Sequence, residues 1–179
     1  MGYAAPVLDL QVLGLLHDGP LHGYELRRRI DELTGSARQV SDGTLYPALR
    51  RLERDGYVTR HEEPGSRGRT RQVLTLTDAG RTRLHTLLRE VSGPDLEDMP
   101  RFMMVLAFLS CLPDETQRLA VLRRRLACLE DPPGFFYDDT GHPVRAADEP
   151  DPYRRGMLVT AAAARRAEMA WLRERLALP

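Results

Sequence analysis

Two groups of side chains in this sequence have the types and spacing to grip a nucleic-acid duplex. The first lies in Ser41-Asp-Gly-Thr-Leu-Tyr-Pro-Ala-Leu-Arg-Arg-Leu-Glu-Arg-Asp-Gly-Tyr57. Ser41 and Thr44 put hydroxyls at the start of a helical pattern, where backbone N–H groups have no intrahelical acceptor. That combination suits a phosphate or a base edge. Plain capping is the competing role for Ser41. Tyr46, one turn further in, can give its hydroxyl to a phosphate or its ring to a thymine methyl. Its competing role is an amphipathic residue at the core edge. Arg50 and Arg51 occupy the outer side of the same segment. Late residues of a groove-docked helix run beside the backbone, so one of the two is expected on phosphate, with Arg54 placed to pair with nearby acids. The second group is Gly65-Ser-Arg-Gly-Arg-Thr-Arg71, a turn carrying Arg67, Arg69 and Arg71. Strand alternation puts Arg69 and Arg71 on one side, where at least one can reach phosphate or minor groove. A solvated turn is the alternative for each arginine taken singly.

The flanking sequence supplies elements to hold these groups. Leu45, Leu49 and Leu52 recur at helical spacing with Ala48 alongside, and Asp55-Gly56 closes that helix. Pro47 falls near the end of the first turn, where its missing N–H predicts a bend or a shifted start. Tyr57 to Glu62 and Arg71 to Leu76 read as two strands joined by the turn at 64–69. Two helices precede them. Val7 to His17 is apolar on most sides. Gly23 to Leu33 is expected to turn Tyr24, Leu26 and Ile30 inward and Arg27, Arg28 and Arg29 outward. A fourth helix starts with Thr77 as N-cap and runs to about Val91, where Ser92-Gly-Pro94 breaks it. A helix followed by a basic hairpin is the outline of a winged helix-turn-helix.

The remaining sequence is helical. One helix is expected from Asp95 to Leu112, a second from Pro113-Asp-Glu115 to Leu129, and a third from about Pro152 to Leu178. The fold class is therefore mainly α with a small β-hairpin wing. It divides into a DNA-binding part at 1–92 and an α-helical part at 93–179.

Net charge is zero over 179 residues, so the whole-chain balance announces no nucleic-acid partner. The distribution says more. From Arg38 to Arg83 there are ten Arg against six acids, whereas residues 91–179 hold twelve Arg against fourteen acids. A basic module beside an acidic one fits a DNA-facing part carried by a partner-facing part. There is no Lys, and a codon bias toward GC-rich Arg and Ala codons accounts for this ahead of selection for forked guanidinium groups suited to phosphate and guanine. Two cysteines, Cys111 and Cys128, are too few for a disulfide scaffold and fit a reducing cytoplasm. No charged leader with an apolar core opens the chain, and the run from Phe102 to Leu112 is too short for a bilayer. A cytoplasmic location without membrane contact is expected.

Three separated motifs resemble the PadR family of bacterial transcriptional regulators: Pro20-Leu-His-Gly-Tyr-Glu-Leu26, Gly43-Thr-Leu-Tyr-Pro-Ala-Leu-Arg-Arg-Leu-Glu-Arg-Asp-Gly56 and Leu76-Thr-Asp-Ala-Gly80. The resemblance covers about residues 8 to 90, and the helical tail looks like the dimerisation region of the longer subfamily. It implies a homodimer on a palindromic double-stranded DNA operator, most often acting as a repressor, with Gly43 to Pro47 at the DNA-reading helix. Some relatives release DNA on binding a phenolic acid or an aromatic drug, and others respond to no known ligand. The wing departs from the usual Gly-Arg-Pro-Arg pattern and reads Gly68-Arg-Thr-Arg71.

Other residues are weighed on the same terms. Trp171, with Met157 and Met169 in helical register, either fills a dimer interface or lines an aromatic-effector pocket there. Met103, on the Met-rich helix 99–109, is the companion candidate. The Phe135-Phe136-Tyr137 cluster either folds over the partner or covers a pocket. The five histidines are dispersed and form no ligand set, so no metal and no cofactor are expected. Cys111 and Cys128 read as buried small apolar residues, against a redox pair meeting across two helices. No nucleophile–base motif or phosphate loop appears, so an enzyme is not expected. The rival from another class is a helical adaptor whose winged helix binds protein.

Overall fold

The computed structural model describes residues 5–35, 39–64, 70–130 and 136–177, and it divides into two compact units, 1–118 and 119–179. In the first unit α1 (Ala5–His17) is followed by a short strand β1 (Leu21–His22), α2 (Gly23–Thr34), α3 (Asp42–Arg54), β2 (Val58–Pro64), β3 (Thr70–Leu76) and α4 (Asp78–Arg89). A single turn α5 (Pro94–Glu97), α6 (Met99–Phe108) and a 3-10 turn at Leu109–Cys111 complete it. Helix α7 (Glu115–Glu130) starts at its edge and runs into the second unit, which also holds α8 (Pro152–Arg175).

Helix α1 is the hub of the first unit. It touches α2, α3, α4, α6 and β3, which explains a segment apolar on nearly every side. Val12, Leu13 and Leu16 are fully buried against Leu26 and Ile30 of α2, Leu45, Leu49 and Leu52 of α3, and Leu84 and Leu88 of α4. Gly14 is required here. A Cβ on it would stand 2.3 Å from the Phe108 ring of α6, so the missing side chain is what lets α6 close on α1. This packing carries the first unit past the Ser92-Gly-Pro94 break at which the sequence places a domain boundary.

The sheet has the order β1-β3-β2, antiparallel throughout. Val58 faces Leu76 and Pro64 faces Thr70, while Leu21 and His22 pair with Leu74 and Val73. Two residues carry no periodicity, so β1 was invisible in the sequence. Thr77 caps α4 as expected, accepting from the Gly80 N–H at 3.0 Å and donating to the Gly56 carbonyl at 2.7 Å. A Cβ on Gly80 would meet the Tyr57 carbonyl oxygen at 2.1 Å, so this glycine lets α4 press against the turn between α3 and β2.

The structure corrects two expectations. Tyr24 does not turn inward. The single helix expected from Asp95 to Leu112 is instead α5, α6 and a 3-10 turn. Pro100 supplies no N–H to continue from α5, so the chain extends at Asp98 (φ −82°, ψ 126°) and restarts with the Asp98 carboxylate capping Arg101 N at 3.1 Å. Of the two effects expected of Pro47, a shifted start is not seen, and α3 begins at Asp42 and continues through Pro47 to Arg54.

The second unit is held by charge as well as apolar contact. Arg125 of α7 and Glu168 of α8 form a buried, two-pronged ion pair, and Arg173 reaches Glu130 at 3.0 Å. Leu126 and Leu129 are buried on α7, and Leu158, Leu172 and Leu176 line the buried side of α8 and its end. The Asp151 carboxylate caps α8 by accepting from Tyr153 N and Arg154 N, and those bonds hold it below the usual carboxylate range. Before α8, Asp138 organises a turn by accepting from the Thr140 hydroxyl and from Thr140 and His142 N–H groups, which lowers its pKa likewise. Phe136 lies under the Arg154 guanidinium, 5.4 Å from the ring centre, and Tyr137 bridges to Pro143, so this segment is a built turn. Phe135 is outside the described residues.

Candidate nucleic-acid interface

Helix α3 buries Leu45, Ala48, Leu49 and Leu52 on one side. At 100° per residue the opposite side carries Gly43, Tyr46, Pro47, Arg50 and Arg54, all exposed. Pro47 therefore sits on the exposed side of the helix. Gly43 has open space around it, with only the Ser41 hydroxyl within 4 Å of a notional Cβ, so another backbone can approach closely. Tyr46 is 41% exposed at the edge of this stripe.

Ser41 occupies the N-cap position with extended backbone, but its side chain caps no backbone N–H. Its hydroxyl instead meets the Thr44 hydroxyl at 2.8 Å. One hydroxyl donates to the other, so the pair presents one free donor, from either residue, at the helix start, where the first N–H groups of α3 also lie.

The arginines divide by partner. Arg51 turns to the flank of α3 and binds the Asp9 carboxylate of α1. Burial pushes Asp9 above its ordinary range, and the Arg51 guanidinium opposes that shift. Arg54 pairs with Asp55 at 3.2 Å, as its sequence position suggested. Arg60 of β2 holds Glu53 of α3, and Arg27 of α2 holds Asp42 at 2.7 Å. Arg50 stays on the exposed face. Arg71 is exposed on β3 and pairs across the ladder with Glu63, on the side leading to the hairpin tip. Arg67 and Arg69 lie outside the described residues.

The sequence reading missed Tyr24. It sits on the first turn of α2, 66% exposed, with its ring stacked on the His22 imidazole (centroids 5.7 Å apart, planes 7° apart). The signal was available. Leu26 and Ile30 define the buried face, and Tyr24 lies well over 100° from both on a helical wheel. Tyr24 and Tyr46 line the same cleft of about 210 Å³ between α2, α3 and the sheet.

The second pair of candidates is divided between the units. Met103 is half-buried on α6 in the first, and Trp171 is 42% exposed on α8 in the second. Both cysteines are free thiols, and burial pushes Cys111 up to about 11, which keeps it protonated and unreactive at neutral pH. Among the described residues, no group of three or more His, Cys, Asp or Glu is placed to hold a metal, and no helix is long and apolar enough to cross a membrane.

A three-helix core, a three-stranded sheet and a hairpin beside an exposed helix face define a winged helix-turn-helix protein. The Transcriptional regulator PadR-like family matches residues 12–86. The chain is 32% identical over 135 residues to the negative transcriptional regulator PadR of Bacillus subtilis, covering 73% of each protein. It is 40% identical over 91 residues to the transcriptional regulator Rv3488 of Mycobacterium tuberculosis, covering 47% of this chain and 81% of that one. A crystal structure of Bacillus subtilis PadR in complex with operator DNA aligns over 96% of this chain and 98% of its own, with a TM-score of 0.46 and 24% identity. The chain belongs to the PadR-like family of transcriptional regulators.

Proposed function

We propose that this regulator is a homodimeric repressor that binds a palindromic operator in double-stranded DNA. The observation that carries the reading is the outward stripe of α3, where Gly43, Tyr46 and Arg50 face away from a fully apolar buried side. Each protomer inserts this stripe in a major groove, with Ser41 and Thr44 at the entering end and the hairpin arginines Arg67, Arg69 and Arg71 against the flanking duplex. Arg51 acts from behind, by fixing α3 on α1.

Residues 93–179 provide dimerisation in this reading. Tyr153, Met157 and Trp171 are exposed and lie within about 40° of one another on α8, and a second copy accounts for such an apolar stripe. The relatives are regulators, and nothing in the assigned side chains calls for catalysis or a cofactor. The protein acts in the cytoplasm, where its operator is.

A ligand-responsive form of the same regulator draws on the half-exposed Trp171, which can stack an aromatic effector at the dimer seam. An aromatic ligand that quenched this single tryptophan and weakened duplex binding would support it.

The test of the main reading is selection from a random duplex library at physiological salt. An enriched palindrome with half-sites one helical turn apart supports a dimeric groove reader. Retention without enrichment points to non-specific or effector-dependent binding. No retention at all removes the DNA reading and favours a protein-binding adaptor.

A further inference from the structure

Tyr24 is an aromatic side chain that contributes almost nothing to the core yet is held firmly in place. Its ring stacks face to face on His22, and His22 is itself fixed twice. Its backbone pairs with Val73 in the sheet, and its Nδ1 lies 3.3 Å from the Gln72 carbonyl oxygen. A tyrosine loses little conformational freedom when it binds, and one propped on a sheet-anchored imidazole loses less.

The surroundings favour an anion on one side of this ring. The cleft that Tyr24 and Tyr46 share is lined also by Arg60 and Arg71 and by no acid. The hollow on the other side of the same two tyrosines has Arg27 and Arg28 as its cations, and these are balanced by Asp31, Glu32 and Asp42 through close ion pairs. A phosphate oxygen entering the first cleft meets a phenolic donor and two guanidinium groups with no carboxylate in the lining, the Glu53 partner of Arg60 lying outside it. One entering the second meets three lining carboxylates as well as the arginines.

We propose that Tyr24, propped on His22, donates its hydroxyl to a phosphate of the DNA backbone beside the groove that α3 enters, as a contact separate from both α3 and the hairpin. The inference rests on the DNA-binding reading above. A phosphate contact from a neutral donor has a distinctive signature. It displaces no counterion, so it changes affinity without changing the salt dependence, and it carries no sequence information.

The experiment compares the full-length protein and its Tyr24→Phe variant on the selected operator and on a scrambled duplex, across a salt series. The variant keeps the ring and the stack and loses only the hydroxyl. About a tenfold loss is expected at every salt concentration, giving parallel lines for log K against log salt, with the same loss on both duplexes. Ethylation of single phosphates interferes with wild-type binding at one position per half-site that no longer matters to the variant. His22→Ala, which removes the prop, gives a loss in the same direction. Equal binding by Tyr24→Phe and wild type, with identical ethylation patterns, overturns the inference. A loss confined to the operator overturns it too, since that marks a base contact. If the wild type retains no duplex at any salt, the DNA reading and this inference fall together. If the wild type binds and only the Tyr24→Phe result is negative, the DNA reading stands.

Discussion

Arg60 of β2 grips Glu53 of α3 through two parallel hydrogen bonds, Nε to Oε1 at 2.6 Å and Nη2 to Oε2 at 2.9 Å, and its remaining arm reaches the Gln72 side chain on β3 at 2.7 Å. One side chain thus ties α3 to both strands of the hairpin. In the proposed reading the angle between helix and wing decides whether both can engage one duplex, which makes Arg60 a positioning residue. Arg60→Met is expected to lower stability by only about 1 kcal/mol, because the pair is part-exposed. The larger expected effect is loss of protection at the flanks of the operator footprint, while the central protections persist. Arg60→Lys should fail to restore the flanks, since an ammonium cannot make the forked contact. Intact flanks in Arg60→Met would remove the brace from the account.

Adjacent arginines on α3 should behave differently. Arg50 is exposed on the outward stripe, whereas Arg51 is engaged by Asp9. A cation already neutralised within the protein releases few counterions from DNA. Arg50→Ala should therefore reduce the magnitude of the salt slope by about 0.9 for its one phosphate, and Arg51→Ala should leave the slope nearly unchanged while lowering the urea midpoint. The reverse pattern would place Arg51 on the duplex.

The fold was legible where one physical signal dominated. The leucines of α3, the Asp55-Gly56 stop, the Thr77 cap and the hairpin each rest on local chemistry that a sequence displays. The misses have separate causes. β1 is two residues long and exists only because β3 offers it an edge. Tyr24 looked apolar and was assigned to the core by type, although its angular position put it outside. The helix after Ser92 looked continuous because apolar residues span it, and Pro100 overrode that pattern by withholding one N–H. At the candidate site, residue types were readable and partners were not. Nothing local indicates that Arg51 meets Asp9, 42 positions away, or that Arg60 meets Glu53. The arginine excess consequently overstates the charge available to phosphate.

His85 gives the first unit an acid-side weakness. Burial lowers its pKa, with His17, Arg89 and Arg81 adding repulsion and the hydrogen bond to the Cys111 backbone opposing the shift. Its Nε2 is enclosed without a partner. The folded state therefore binds a proton less readily than the unfolded chain. The stability this gives is fully present above the unfolded histidine value of about 6.5 and is lost as pH falls from there through the lower folded value. His85→Gln should show a smaller drop in urea midpoint between roughly pH 7 and pH 5 than the wild type. Equal drops in the two proteins would assign the acid sensitivity elsewhere.

The Arg125–Glu168 pair allows a sharper test in the second unit, because both side chains are almost wholly buried, at 1% and 6% exposure. Its bonds, Nε to Oε1 at 2.7 Å and Nη2 to Oε2 at 2.8 Å, have the geometry that offsets desolvation best. Removing one partner strands a charge in an apolar environment. Glu168→Ala should cost about 3–5 kcal/mol, or prevent folding of this unit altogether. Replacing both with apolar residues of similar size, Arg125→Met with Glu168→Leu, removes the charge and its desolvation penalty together. That double variant should return to near wild-type stability or exceed it. Its oligomeric state then decides what the pair is for. A stable double variant that still forms dimers means the ion pair is replaceable packing. A stable one that forms mixed assemblies means the pair selects a single register of α8 against α7, and that the exposed stripe of Tyr153, Met157 and Trp171 depends on that register to meet its copy.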